Sequence, residues 1–227
     1  DVYIGGIPLN GDGLLMATAV GAATEVMASP ETSVNRAPYS ALLFLFVKHP
    51  KTLWVNKKGE RFINEGVPQA FNGQFRQPGM TAYTIMDESI KQAIYSEELS
   101  IIDKYVLASN MTLDVIDKKI QKELAREGLY ATAETWPEVA EKDLKYQQRK
   151  GMVRIAGTLE ELARWMGADP KVLKATVDEY NAACARGRDG LFAKDRKHLL
   201  PLRQPPYYAI RCFENVLVTH GGIRINE

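Results

Sequence analysis

Two glycine-punctuated segments near the ends of this 227-residue chain constrain it more than anything between them. The first, Gly11-Asp12-Gly13, opens an apolar helix that runs on toward Ala22. A tight glycine turn ahead of a helix leaves backbone N–H groups and the Asp12 carboxylate available to a polar ligand. The second is Thr219-His220-Gly221-Gly222, just before the C-terminus. The stretch between them reads as a self-contained α+β unit.

Its composition admits a sizeable core, with 45% hydrophobic and 25% charged residues. Lys plus Arg number 29 against 28 Asp plus Glu, so there is no general attraction to nucleic acid or to an anionic membrane surface. The two cysteines, Cys184 and Cys212, lack metal-ligand spacing and are too few for a disulfide framework, which leaves them as thiols without a function. No metal site is expected. The longest apolar run, Ala41 to Val47, is far short of a membrane span and reads as a buried strand. The chain opens at Asp1 without Met and looks excised from a longer protein, so compartment stays open between cytoplasm and export.

Local signals order the rest. Leu53 to Asn56, a turn at Lys57-Lys58-Gly59-Glu60 and a return through Arg61 to Asn64 predict a hairpin with Gly59 at positive φ. A loop from Gly66 to Met80 leads to a second strand, Ala82 to Asp87, after which Asp87 or Ser89 caps a helix. From Thr112 to about Lys150 the periodic pattern predicts two surface helices, with Leu113, Ile116, Ile120 and Leu124 on one face. Thr158-Leu159-Glu160-Glu161 is a capping box, with Gly167 ending its helix. Asp169-Pro170 starts another helix that runs to Gly187. Extended structure restarts at Pro205-Pro206-Tyr207-Tyr208.

Six landmarks in order carry a resemblance: G-D-G before a helix, V-N-K-K-G-E-R-F-I-N-E (Val55 to Glu65), A-Y-T-I-M-D (Ala82 to Asp87), the helix pair within Gly157 to Asn181, P-P-Y-Y-A-I, and T-H-G-G. Together they resemble the flavoprotein family of fumarate reductases, succinate dehydrogenases, L-aspartate oxidases and ketosteroid dehydrogenases, and specifically the domain that caps the flavin. The resemblance implies an α+β fold, a capping domain with a short mixed or antiparallel sheet and surrounding helices, flanked by edges of a Rossmann-like FAD domain. It implies residues 1–37 as one such edge, 38–216 as the cap and 217–227 as the return. FAD is the implied cofactor of the parent protein. The G-x-G-x-x-G fingerprint is not in this sequence, so the chain alone is expected not to retain FAD.

The resemblance also assigns positions. Gly11, Asp12, Gly13, Gly221 and Gly222 fall beside the cofactor. Where fumarate reductases place their acid arginine, this chain has Gln69, which cannot deliver a proton. The proton-supply path falls on Phe44, Leu45 and Lys48, and the paired histidines fall on Leu217 and Val218. Loss of these charges argues against a dicarboxylate and for an apolar or aromatic substrate walled by Phe44, Leu45, Gln69, Leu217, Val218 and Thr219. Apolar residues from Phe44 to Val47 equally read as core. His220, Tyr207 and Arg76 are the candidate catalytic residues, each with a plain structural reading beside it. His49 reads as part of a surface turn and His198 as solvated. Two functions remain: the cap of an FAD-dependent oxidoreductase acting on an activated C=C bond, with a small-molecule substrate, its own FAD domain and an external electron donor as partners; or a catalytically silent binding module derived from that cap.

Overall fold

The computed structural model describes residues 11–33, 41–67, 70–97 and 136–224. The predicted helix through Leu113 and Leu124 lies outside them. In chain order the regular elements are α1 (Asp12–Ala19), β1 (Thr24–Ser33), α2 (Ala41–Lys48), β2 (Leu53–Asn56), β3 (Ala82–Asp87), α3 (Glu88–Tyr95), α4 (Trp136–Arg149), β4 (Val153–Ala156), α5 (Leu159–Met166), α6 (Pro170–Arg186) and β5 (Tyr207–Ile223). Mixed helices around small antiparallel sheets are the α+β class that the sequence implies.

β5 organises the fold. Its first part, Tyr207 to Cys212, pairs antiparallel with β3, and β4 pairs on its other side. β2 then extends the sheet beyond β3. From Phe213 to Ile223 the same strand pairs with β1 instead. One 17-residue strand therefore belongs to two pairings in succession. The β1–β5 register slips between Ser29 and Pro30, where Val218 and Val216 are their partners and Leu217 is left over as a bulge. Pro30 has no N–H to give the ladder, which accounts for the break.

The core fills the space between the β2–β3–β5 sheet and the helices, with Leu43, Phe46, Leu53, Ile85, Ile90, Leu144 and Leu173 in one buried cluster. The run from Ala41 to Lys48 is a helix and not the expected strand. Leu43, Leu45, Phe46 and Val47 are all buried, so α2 is apolar around its circumference. A helix with apolar residues on every side shows no amphipathic period, and a short apolar run cannot be told from a buried strand by pattern alone.

The local chemistry performs as its residues dictate. Gly59 sits at φ 88° in the turn after β2, and a Cβ there would press on Leu173 of α6 at 3.2 Å. The return of that hairpin is reduced to a single bridge between Val55 and Arg61. Asp87 caps α3 through Ile90 N–H at 2.9 Å, and its other oxygen accepts from the N–H groups of Arg203 (2.6 Å) and Gln204 (2.8 Å). Thr158 Oγ1 accepts from Glu161 N–H at 3.2 Å, while the Glu161 carboxylate reaches back to Gly157 N–H. Gly167 and Gly187 close α5 and α6 in left-handed conformation. Cys184 and Cys212 are free thiols, and burial pushes Cys212 up to about 12.

Candidate functional site

Arg61 and Glu65 of the R-F-I-N-E segment belong to a buried cluster of ion pairs. Arg61 donates to Glu65 through Nε (2.9 Å) and Nη2 (2.8 Å), and its Nη1 pairs with Asp189 at 2.8 Å. Its guanidinium lies over the rings of Tyr180 and Phe192. Glu65 also accepts from Trp54 N–H and pairs with Lys194, whose ammonium donates to Thr52 O (2.7 Å) and Tyr180 Oη (3.1 Å). Burial lowers the Lys194 pKa against the pull of Glu65; in Arg61 burial is outweighed by Glu65 and Asp189, which raise it. A cavity of about 430 Å³ opens over Arg61, Tyr180 and Phe192. None of the candidate site residues lines it, and the buried charges at its floor are already paired.

The candidate residues gather elsewhere. Leu217, Val218, Thr219, His220, Gly221 and Gly222 run consecutively along β5, with Val218 opposite Ser29, Thr219 opposite Ala28, His220 opposite Met27 and the glycines opposite Val26 and Glu25. α1 contacts this strand, and the 3-10 segment Ala70–Arg76 packs against β1. That segment replaces the irregular loop expected there, and Arg76 at its end is exposed. Gly11 caps α1 at φ 78° without a side-chain cap, and Asp12 lies in the first turn. A Cβ on Gly11, Gly13 or Gly222 would meet nothing within 4 Å, so all three leave room for a cofactor to approach the backbone. Together the arrangement offers backbone donors, one carboxylate, one exposed cation and an apolar stretch of strand at a bulge.

Other candidates fall away from this junction. Tyr207 is at the opposite end of β5 from His220, on the order of 40 Å along an extended strand. There it pairs with Asp87 and Ala156, and burial followed by the nearby Asp87 charge raises its pKa. Tyr208 is buried, donating to Glu88 at 2.6 Å and accepting from Lys91 at 2.8 Å. Leu45 is 2% exposed and fills the core. Phe44 lies on α2, and Gln69 lies outside the described residues. His49 is buried and not in a surface turn: its Nδ1 accepts from Lys51 N–H, so Nε2–H donates to Glu97 at 2.9 Å. The expectation failed because the partner lies 48 positions away. His198 is half-buried, and burial followed by the Lys197 charge lowers it to about 4. Gln74, for which the sequence carries no local signal, is buried and donates through Nε2 to Met80 O and Cys212 O, at the point where β5 leaves β3. No group of His, Cys, Asp and Glu among the described residues could hold a metal, and no helix among them is long and apolar enough to cross a membrane.

The NADH:acrylate oxidoreductase of Vibrio harveyi is 27% identical over 221 residues, covering 96% of this chain and 18% of the relative. The 3-oxosteroid 1-dehydrogenase of Mycolicibacterium smegmatis is 26% identical over 251 residues, covering 97% of this chain and 37% of the relative. The open conformation of a flavocytochrome c3 fumarate reductase matches with a TM-score of 0.54 at 26% identity, over 95% of this chain and 30% of that one. The chain thus spans well under half the length of these proteins. Residues 4–227 match the FAD binding domain family. With that match over nearly its whole length and a fold shared with a fumarate reductase, the chain belongs to the FAD binding domain family.

Proposed function

We propose that this chain is the substrate-covering part of an FAD-dependent oxidoreductase that reduces an activated C=C bond, or dehydrogenates the saturated form, of an apolar or aromatic molecule. The observation that carries the reading is the β5 run Val216-Leu217-Val218 at its register break: uncharged side chains stand where the family resemblance puts carboxylate-binding histidines. Bulges recur next to active sites because they re-aim side chains. Among the relatives' names, 3-oxosteroid 1-dehydrogenase supports an apolar substrate, while others are named for acrylate and fumarate.

When bound and reduced by the electron donor, the flavin would supply the hydride, and in the reverse direction oxidised FAD would accept it. Gly11, Asp12, Gly13, Gly221 and Gly222 would hold its polar edge, and Phe44, Leu217, Val218 and Thr219, by the family resemblance, would wall the substrate and exclude water. Gln69 has no proton to give, so His220 and Arg76 are the donors for the carbon opposite the hydride. Tyr207 is excluded from that role by its distance along β5. A silent binding module is the second reading, favoured by the same loss of charged positions.

The test is single-turnover oxidation of the prereduced complete flavoprotein by fumarate and by an uncharged activated alkene. Loss of a positioned acid alone costs about 10²- to 10⁴-fold, so fumarate is expected to react slowly and the uncharged alkene to react well. Rapid fumarate reduction would overturn the substrate assignment, and no reaction with any alkene would favour the silent module. In the same protein His220→Ala is expected to slow the chemical step while flavin content and melting temperature hold. The chain alone is expected to be colourless and to bind no added FAD.

A further inference from the structure

Met80 (φ 49°) and Ala193 (φ 54°) are the described non-glycine residues with a left-handed backbone. The structure explains one and not the other. Ala193 lies in the turn closed over Asp189, whose carboxylate accepts from the N–H groups of Leu191, Phe192 and Lys194 and holds Arg61. Those buried bonds offset its strain. Met80 follows Gly79, itself at φ 65°, and its side chain is 45% exposed.

What is held in place at Met80 is the carbonyl. It accepts from Gln74 Nε2 at 2.8 Å, and the same amide donates to Cys212 O at 3.2 Å. Cys212 is the residue at which β5 leaves β3; the next, Phe213, pairs with β1. The amide therefore ties Met80 to the strand crossover that leads into the junction. Its own Oε1 is buried with no hydrogen-bond partner. A strained backbone at Met80 and an orphaned buried acceptor on the Gln74 amide that holds it coincide, and such features cluster where function requires them.

We propose that Met80 is a specificity-determining residue of the substrate chamber, its thioether packing against the apolar body of the substrate. The inference rests on the oxidoreductase reading above. A flexible, polarisable side chain conforms to a flat or irregular apolar surface, and a backbone fixed by Gln74 sets how far that side chain reaches.

The experiment uses the complete, FAD-loaded protein with methyl acrylate as a compact uncharged alkene and methyl cinnamate as an aryl one, each followed by reoxidation of the prereduced flavin. Met80→Gly removes the side chain and suits positive φ; Met80→Gln keeps length and strain but ends in a polar group. In both, the ratio of second-order rate constants, methyl cinnamate to methyl acrylate, is expected to fall about tenfold, with flavin content unchanged and the Met80→Gly melting temperature no lower than wild type. An unchanged ratio overturns the proposal. So does a loss of flavin or melting temperature in both variants, which would assign Met80 to a wall between domains. A wild-type protein inert toward both alkenes overturns the oxidoreductase reading and Met80 with it, whereas an active wild type with unshifted variants overturns Met80 alone.

Discussion

The Arg61–Glu65–Asp189–Lys194 cluster and α1 handle their unfavourable groups in opposite ways. In the cluster four charges leave water, yet each meets an opposite charge within the chain. In α1 no residue is buried, and Leu15 (64% exposed), Met16 (68%) and, just beyond its end, Val20 (86%) face solvent. Isolated eight-residue helices are marginal in water. The difference separates a part of the molecule that is complete in itself from one whose apolar face calls for a covering surface.

That contrast breaks first at Glu65. Replacing it with Ala leaves Arg61 and Lys194 buried beside fewer acceptors, and urea unfolding of the chain is expected to show a loss of about 3–5 kcal/mol. A loss below about 1 kcal/mol would mean that the cluster relaxes into water. Next is Asp87→Ala, which removes a helix cap and strands the N–H groups of Arg203 and Gln204; about 2 kcal/mol is expected in the same assay.

Acid sharpens the comparison with a smaller effect. The folded pKa of His198, about 4, lies below its ordinary 6.5, so the unfolded chain binds the proton first and stability falls as pH drops from 6.5 toward 4. In Glu97, burial is outweighed by hydrogen bonds from His49 and Lys51, which hold it down at about 2. Its contribution, full above the ordinary 4.5, is lost between 4.5 and 2. Melts across pH should flatten in the upper window for His198→Gln and in the lower one for Glu97→Gln. The smallest effect belongs to α1: Leu15→Gln is expected to change the chain's stability by less than about 0.5 kcal/mol while lowering flavin content in the complete protein. A large loss in the chain alone would show that α1 already packs.

Features determined within one turn of chain were legible in the sequence. The caps at Asp87, Thr158 and Asp169, the Gly59 turn and the ends of α5 and α6 follow from donors and acceptors a few positions apart. Features set by distant partners were not. His49 reads as a turn residue until Glu97 encloses it, and α2 reads as a strand because a helix apolar on every side displays no period. Thr24 to Ser33 carries Pro30 and several polar residues, so nothing local marks it as a strand; only pairing with β5 makes it one. At the site the glycines were visible as glycines, but the separation of Tyr207 from His220 by nearly the whole of β5 depends on where that strand begins and ends.

β5 also sets the order in which this chain can fold. It comes after β1, β3 and β4, and each of them waits for it: Thr24 meets Ile223, Ala82 meets Cys212 and Val153 meets Ile210. During synthesis those earlier strands emerge with unpaired edges, and their ladders close only when β5 arrives. Contacts so distant in sequence slow folding and lengthen exposure to aggregation. A chain cut before Tyr207 would lose three pairings at once, so β5 governs whether β1, β3 and β4 complete their ladders.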